Sequence, residues 1–171
     1  MIIGHTPAGY ITAKKVLERL SLAPALHRKF ILASILGALA PDSDILYFYL
    51  IAHRQNHHHS YPTHFPIVWF SILAVTLMCY KIARKKYHAG LALIFAFSGS
   101  VHIMLDTVAG SIRWLAPFSD KPYTVFTVPA LYKPWWLNFI LHWSFLSELF
   151  LFVWAIAIFK RHPDISSDRT G

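Results

Sequence analysis

Four stretches of the chain are apolar over a length that crosses, or nearly crosses, a lipid bilayer, for which a helix needs about 20 residues. They are Phe30 to Ala52, Pro66 to Tyr80 with a flank to Ala83, Leu91 to Ala109, and Trp136 to Phe159. Of 171 residues, 56% are hydrophobic and 14% charged, too few charges to dress the surface of a water-soluble globule. The expected fold is therefore all-α: an integral membrane helical bundle of about four transmembrane helices, with a short amphipathic helix before them. That helix is Tyr10 to Leu22, with Ile11, Val16, Leu17 and Leu20 on one face and Lys14, Lys15, Glu18 and Arg19 on the other. Its composition suits an interfacial or partly buried position. Residues 1–161 read as a single membrane-embedded domain and 162–171 as a polar tail. There is no internal repeat, and the N-terminus does not read as a cleaved signal peptide.

The net charge of +8 invites a nucleic-acid reading, but Lys and Arg sit at the ends of apolar segments rather than in one stripe. They are better read as topology signals and lipid headgroup contacts. Residues 81–88 carry four Lys/Arg, and Arg28, Lys29, Lys160 and Arg161 flank the first and last spans. Placing these ends in the cytoplasm turns the loops 53–64 and 110–135 outward, with Trp114, Trp135 and Trp136 at headgroup depth. The lone cysteine, Cys79, lies in an apolar run, so disulfides and thiolate metal clusters are ruled out, and no nucleophilic serine elbow is present. A metal in this chain has only imidazole and carboxylate to hold it.

Ionisable groups at membrane depth are costly and tend to be kept for function. The first span contains "GALAPDSDILYF", where Pro41 breaks the helix and Asp42 and Asp44 follow. The third contains "SGSVHIMLDTVAG", where His102 and Asp106, four apart, share one helical face and suit zinc or manganese. A helix cap at Asp42 and a structural His102–Asp106 hydrogen bond are the plainer alternatives. Counted from the cytoplasmic ends at 1.5 Å per residue, both pairs lie roughly 20 Å up, toward the outer leaflet. Just above opens "HRQNHHHSYPTH", with five histidines in twelve residues: His53, His57, His58, His59 and His64. These can close a metal site with the carboxylates, with His53 or His57 left over. His142 and Glu148 enter the last span at similar height, about 240° apart on a helix, and are further possible ligands. His5 joins the set if the N-terminal helix rises to the outer half.

An N-terminal His in a Gly/Thr context, "PDSD", a loop with His and Thr-His, and "VHIMLD", in this order, resemble a bacterial inner-membrane family described as LexA-regulated, membrane-bound metal-dependent hydrolases. The resemblance covers about the first 130 residues. The family's loop motif reads like His-Arg-x-x-Thr-His-Ser, which fits here in two registers: His59, Thr63 and His64, preferred for the intact Thr-His, or His53, Arg54 and His58. More distantly, the same order is similar to zinc-dependent phospholipase C and P1-type nucleases, whose His-x-x-x-Asp matches His102 and Asp106. Their later His is missing between residues 107 and 141, which implies one or two ions rather than three.

The expectation is a hydrolase that cleaves an ester or phosphoester of a lipid or lipid-linked substrate with a metal-activated water. The metal, Zn2+ or Mn2+, falls to His5, Asp44, His58, His59, His64, His102 and Asp106. Asp42 or Asp44 serves as general base, and Arg54, Arg113 or Lys121 holds a phosphate. A divalent-cation transporter or sensor is the first rival, opposed by the apolar lower halves "FILASIL" and "LALIFAF"; a non-catalytic structural membrane protein is the second.

Overall fold

As helix, apolar segments of this length pair their backbone groups within themselves, which lipid requires. In the computed structural model, which describes residues 3–20, 22–53, 58–134 and 136–161, seven α-helices follow one another. They are α1 (His5–Arg19), α2 (Pro24–Leu39), α3 (Asp44–Leu50), α4 (Pro66–Ile82), α5 (Lys86–Ala109), α6 (Trp136–Leu141) and α7 (Phe145–Arg161). Short 3-10 turns at Pro41–Ser43, His58–Ser60 and Pro62–His64 lie between α2 and α4. No strand occurs among the described residues beyond an isolated bridge between Ile112 and Tyr123.

The expectation of four spans is corrected. Among the described residues one helix, α5, is long and apolar enough to cross a membrane. A second is obtained if α2 and the segment Pro41–Leu50, bent by 56° at Pro41, are taken as one broken span. The apolar α4 has 17 residues, and α7 has 17 with Glu148, Lys160 and Arg161 among them. At 1.5 Å per residue such helices reach about 26 Å, short of the roughly 30 Å hydrocarbon layer. The last apolar run is broken at His142–Ser144, where the His142 ring and the Ser144 hydroxyl, 2.8 Å apart, form a local hydrogen bond and α6 ends.

The N-terminal helix also differs from expectation. It starts at His5 and packs against α2, α5 and α7 with Pro7, Ala8, Ile11, Ala13 and even Lys14 buried, so it belongs to the bundle rather than to its surface. Ala13 and Leu17 meet Phe30, Ile31 and Ile94 in one core cluster, while Trp69, Ile103 and Ile112 make another. Small residues let the helices approach closely. A Cβ on Gly37 would collide with the backbone of Phe95 on α5, and one on Gly99 with the indole of Trp69 on α4. Ser34 donates to the Gly9 carbonyl at 2.7 Å and shares a hydrogen bond of 2.7 Å with Ser98, tying α1, α2 and α5 together. The loop after α5 folds back on it: Val125 and Phe126 donate their amides to the carbonyls of Thr107 and Val108, and Trp114 Nε1 donates to Thr107 Oγ1.

Because the obstruction at Gly37 is backbone, Gly37→Ala is expected to cost about 1–3 kcal/mol by forcing α2 from α5. Gly90→Ala, whose Cβ would meet only the Phe30 ring at 3.1 Å, should cost less. Thermal unfolding of the two variants in detergent compares them directly.

Candidate metal centre

The break at Pro41 sets the site. Proline cannot donate to the helix, so the chain leaves α2, makes one 3-10 turn and presents Asp42 and Asp44 beside α5. From α5 come His102 and Asp106, one turn apart as their spacing requires. The turns 58–60 and 62–64 bring His59 and His64, and α1 brings His5.

Asp106 stands at the centre, its side chain fully buried. Nε2 of His102 is 3.0 Å from its Oδ2, Nε2 of His59 3.5 Å, and Nε2 of His64 3.6 Å. Nε2 of His5 is 3.1 Å from its other oxygen, Oδ1. Asp42 Oδ1 lies 3.5 Å from His64 Nε2 and 3.7 Å from His102 Nε2. One ligand atom from each of Asp42, His64, His102 and Asp106 falls within 4.8 Å of all the others.

The tautomers decide what these atoms offer. His102 Nδ1 donates to the Ala38 carbonyl at 2.6 Å, which can only accept, so its Nε2 turns a lone pair into the group. That Nε2 is buried and makes no hydrogen bond. His64 Nδ1 donates to Asp44 Oδ2 at 2.6 Å, and Asp44 in turn accepts from Thr63 Oγ1 at 2.7 Å. Carboxylate behind imidazole is the arrangement that orients metal-bound histidines. Ligand atoms 2.0–2.1 Å from one tetrahedral ion lie about 3.3–3.4 Å apart, close to the separations here. The donor set, two imidazoles and two carboxylates, suits zinc or manganese.

The predicted residues thus divide. His59, His64, His102 and Asp106 come together, with His5 on the far oxygen, so the loop register built on His59, Thr63 and His64 brings both of its histidines to the site. Asp42, not Asp44, completes the four-residue group; Asp44 holds His64 from behind. His53 is exposed, with φ of 45°. Arg54 and His57 lie outside the described residues, as does the side chain of His58. Arg113 pairs with Asp120 at 3.2 Å on the loop after α5, and Lys121 is exposed beside it. His142 bonds Ser144. Glu148, considered as a ligand, instead accepts the backbone amides of Ile3 and Gly4 at 2.6 and 3.0 Å, pinning the turn that carries His5. The sequence spacing gave no sign of this anchor, nor of the Ala38 carbonyl, because both act through the main chain.

A family model described as YdjM inner membrane protein matches residues 1–162. The chain belongs to the YdjM inner membrane protein family. No curated protein and no solved structure matches it. YdjM membership covers every residue of the group described above, from His5 to Asp106, together with the Glu148 anchor.

Two outcomes follow from the electrostatics. Burial favours a neutral His64, but hydrogen bonds to Asp106, Asp42 and Asp44 outweigh it and push the pKa from 6.5 up to about 10. In chelated protein, protonated His64 then stabilises the fold fully below pH 6.5, and this is lost as pH rises through 10. Melting temperature measured with chelator across that range is expected to fall. Glu148→Ala, which strips a buried charged acceptor from two amides, is expected to cost about 2–3 kcal/mol and to expose the N-terminal turn to protease. Unfolding and limited proteolysis read both.

Proposed function

We propose that this chain is a membrane-bound, metal-dependent hydrolase that cleaves an ester or phosphoester of a lipid or lipid-linked substrate. The observation that carries the reading is the convergence of Asp42, His64, His102 and Asp106 within 4.8 Å, with the tautomers of both imidazoles set from behind. A divalent cation, Zn2+ or Mn2+, supplies Lewis acidity and lowers the pKa of water to about 7. The chain's own residues do the rest. Asp42, whose side chain keeps 24% of its surface, is the exposed edge of an otherwise closed group, where water and substrate would reach the cation. Asp44 and Ala38 keep the imidazoles in the tautomer that would turn the Nε2 lone pair toward the cation. Arg113 and Lys121, with Arg54 on the loop before His58, supply positive charge for a phosphate headgroup. The Lys/Arg pattern supports a site toward the extracytoplasmic leaflet of the bacterial inner membrane.

The test is hydrolysis of phospholipids and lipid phosphates in mixed micelles by tag-free protein supplied with zinc or manganese. Activity that chelator abolishes and that His102→Ala or Asp106→Asn eliminates is expected. Asp44→Asn should weaken metal affinity about 10- to 100-fold, as loss of a supporting carboxylate does. Full activity and metal content in a folded His102→Ala protein would sink the reading.

A further inference from the structure

Between α1, α2 and α7 lies an apolar groove of about 350 Å³, open along one side. Pro7 and Tyr10 line it from α1, Ile35 from α2, and Phe152, Ile156 and Phe159 from α7. The three α7 side chains are exposed, and the rings of Tyr10 and Phe159 stand 6.5 Å apart. At 1.5 Å per residue the α7 wall is about 10 Å long, which fits within the roughly 15 Å of hydrocarbon that one leaflet of a bilayer supplies.

Each wall runs into a cation at the same end. Lys160 follows Ile156 by one helical turn, Arg28 precedes Ile35 by two, and Lys14 follows Tyr10 by one, its Nζ 5.9 Å from the centre of that ring. They share an end because α1 and α7 both run away from the Asp106 group, starting at His5 and beside Glu148, while α2 runs toward it and finishes near the Ala38 carbonyl that holds His102. Arg28 and Lys160 are exposed, and no acid occupies the first turn of α2 to offset Arg28 and Lys29. Among the described residues, little negative charge answers this end. Asp42, Asp44 and Asp106 lie in the metal-centre group, Asp120 on the loop after α5 and Glu148 against the N-terminal turn; Glu18 stands with Lys15 at 2.9 Å.

We propose that this groove seats an acyl chain of an anionic phospholipid from the leaflet that meets the basic end, with the lipid phosphate held by Arg28 and Lys160. The charge selects the occupant. Lys and Arg near a membrane surface attract anionic headgroups, and their long stems lie along apolar surface while the charge stays at headgroup depth. A second copy of the chain packed symmetrically on the same face would instead bring these cations toward their own counterparts, which repel. The headgroup end lies at the opposite end of the bundle from Asp106, so the lipid site stands apart from the hydrolase reading.

The experiment titrates delipidated, detergent-purified full-length protein with phosphatidylglycerol and with phosphatidylcholine of the same acyl chains, and counts bound lipid by native mass spectrometry. Wild type is expected to bind one phosphatidylglycerol per chain about 25-fold more tightly than phosphatidylcholine, roughly 5-fold for each of two cations. Arg28→Gln combined with Lys160→Gln should remove that preference. Ile156→Trp, which fills the groove, should weaken binding of both lipids, and glycerol phosphate, a headgroup without chains, should not compete. Melting temperatures verify that the variants fold. Equal binding of the two lipids by wild type, a preference that survives in the folded double variant, or competition by glycerol phosphate would overturn the proposal. A dimer that Ile156→Trp dissociates would overturn it too, by making a second copy the occupant.

Discussion

The carboxylate of Asp106 has no exposure to solvent and sits near the end of α5, the single helix among the described residues that is long and apolar enough to cross a membrane. An ionised group in such a place is held only if opposite charge and hydrogen bonds surround it, since burial alone costs several kcal/mol. The fold answers with imidazoles from three other places in the chain besides α5: the start of α1 and the two turns before α4. Each then needs its own support, and that is where Ala38, Asp44, Thr63 and Glu148 enter. Much of the polar wiring in this otherwise oily bundle can be traced back to that single buried acid.

The backbone departs from regular helix where this wiring requires it. Pro41 ends α2 at the level where the carboxylates must enter, and the 56° bend carries α3 away from the bundle axis. Pro62 and Pro66 frame the turn that delivers His64, whose amide is satisfied by the Tyr61 carbonyl. Irregular backbone is tolerated because protein, rather than lipid, surrounds it. The helices that are not interrupted, α1, α2 and α5, approach through Gly9, Gly37 and Ser34, so the frame around the site is tight where the ligands are attached.

The gathering of His and Asp side chains was more legible in the sequence than the membrane topology. His102 and Asp106 announced themselves by spacing, Asp42 and Asp44 by standing on a broken helix, and Thr63-His64 by an intact pair of residues. Each of those signals depends on local geometry, which a sequence carries well. The spans were misjudged because hydropathy measures composition over a window and is blind to where a helix ends; His142 to Ser144 divides a run that averages as apolar. The choice between Asp42 and Asp44, and the work of Glu148, depend on tertiary approach, and a two-residue difference along a 3-10 turn decides the first.

The anchor at Glu148 lies 144 residues beyond the amide of Gly4 that it holds. At a synthesis rate of 5–20 residues per second, about 7 to 29 s separate the two on the ribosome. His5 is made first and secured last, so through most of synthesis the centre lacks the partner that fixes its far side. The surroundings of Asp106 are thereby completed late, with the last helix acting as the latch on the first residues made.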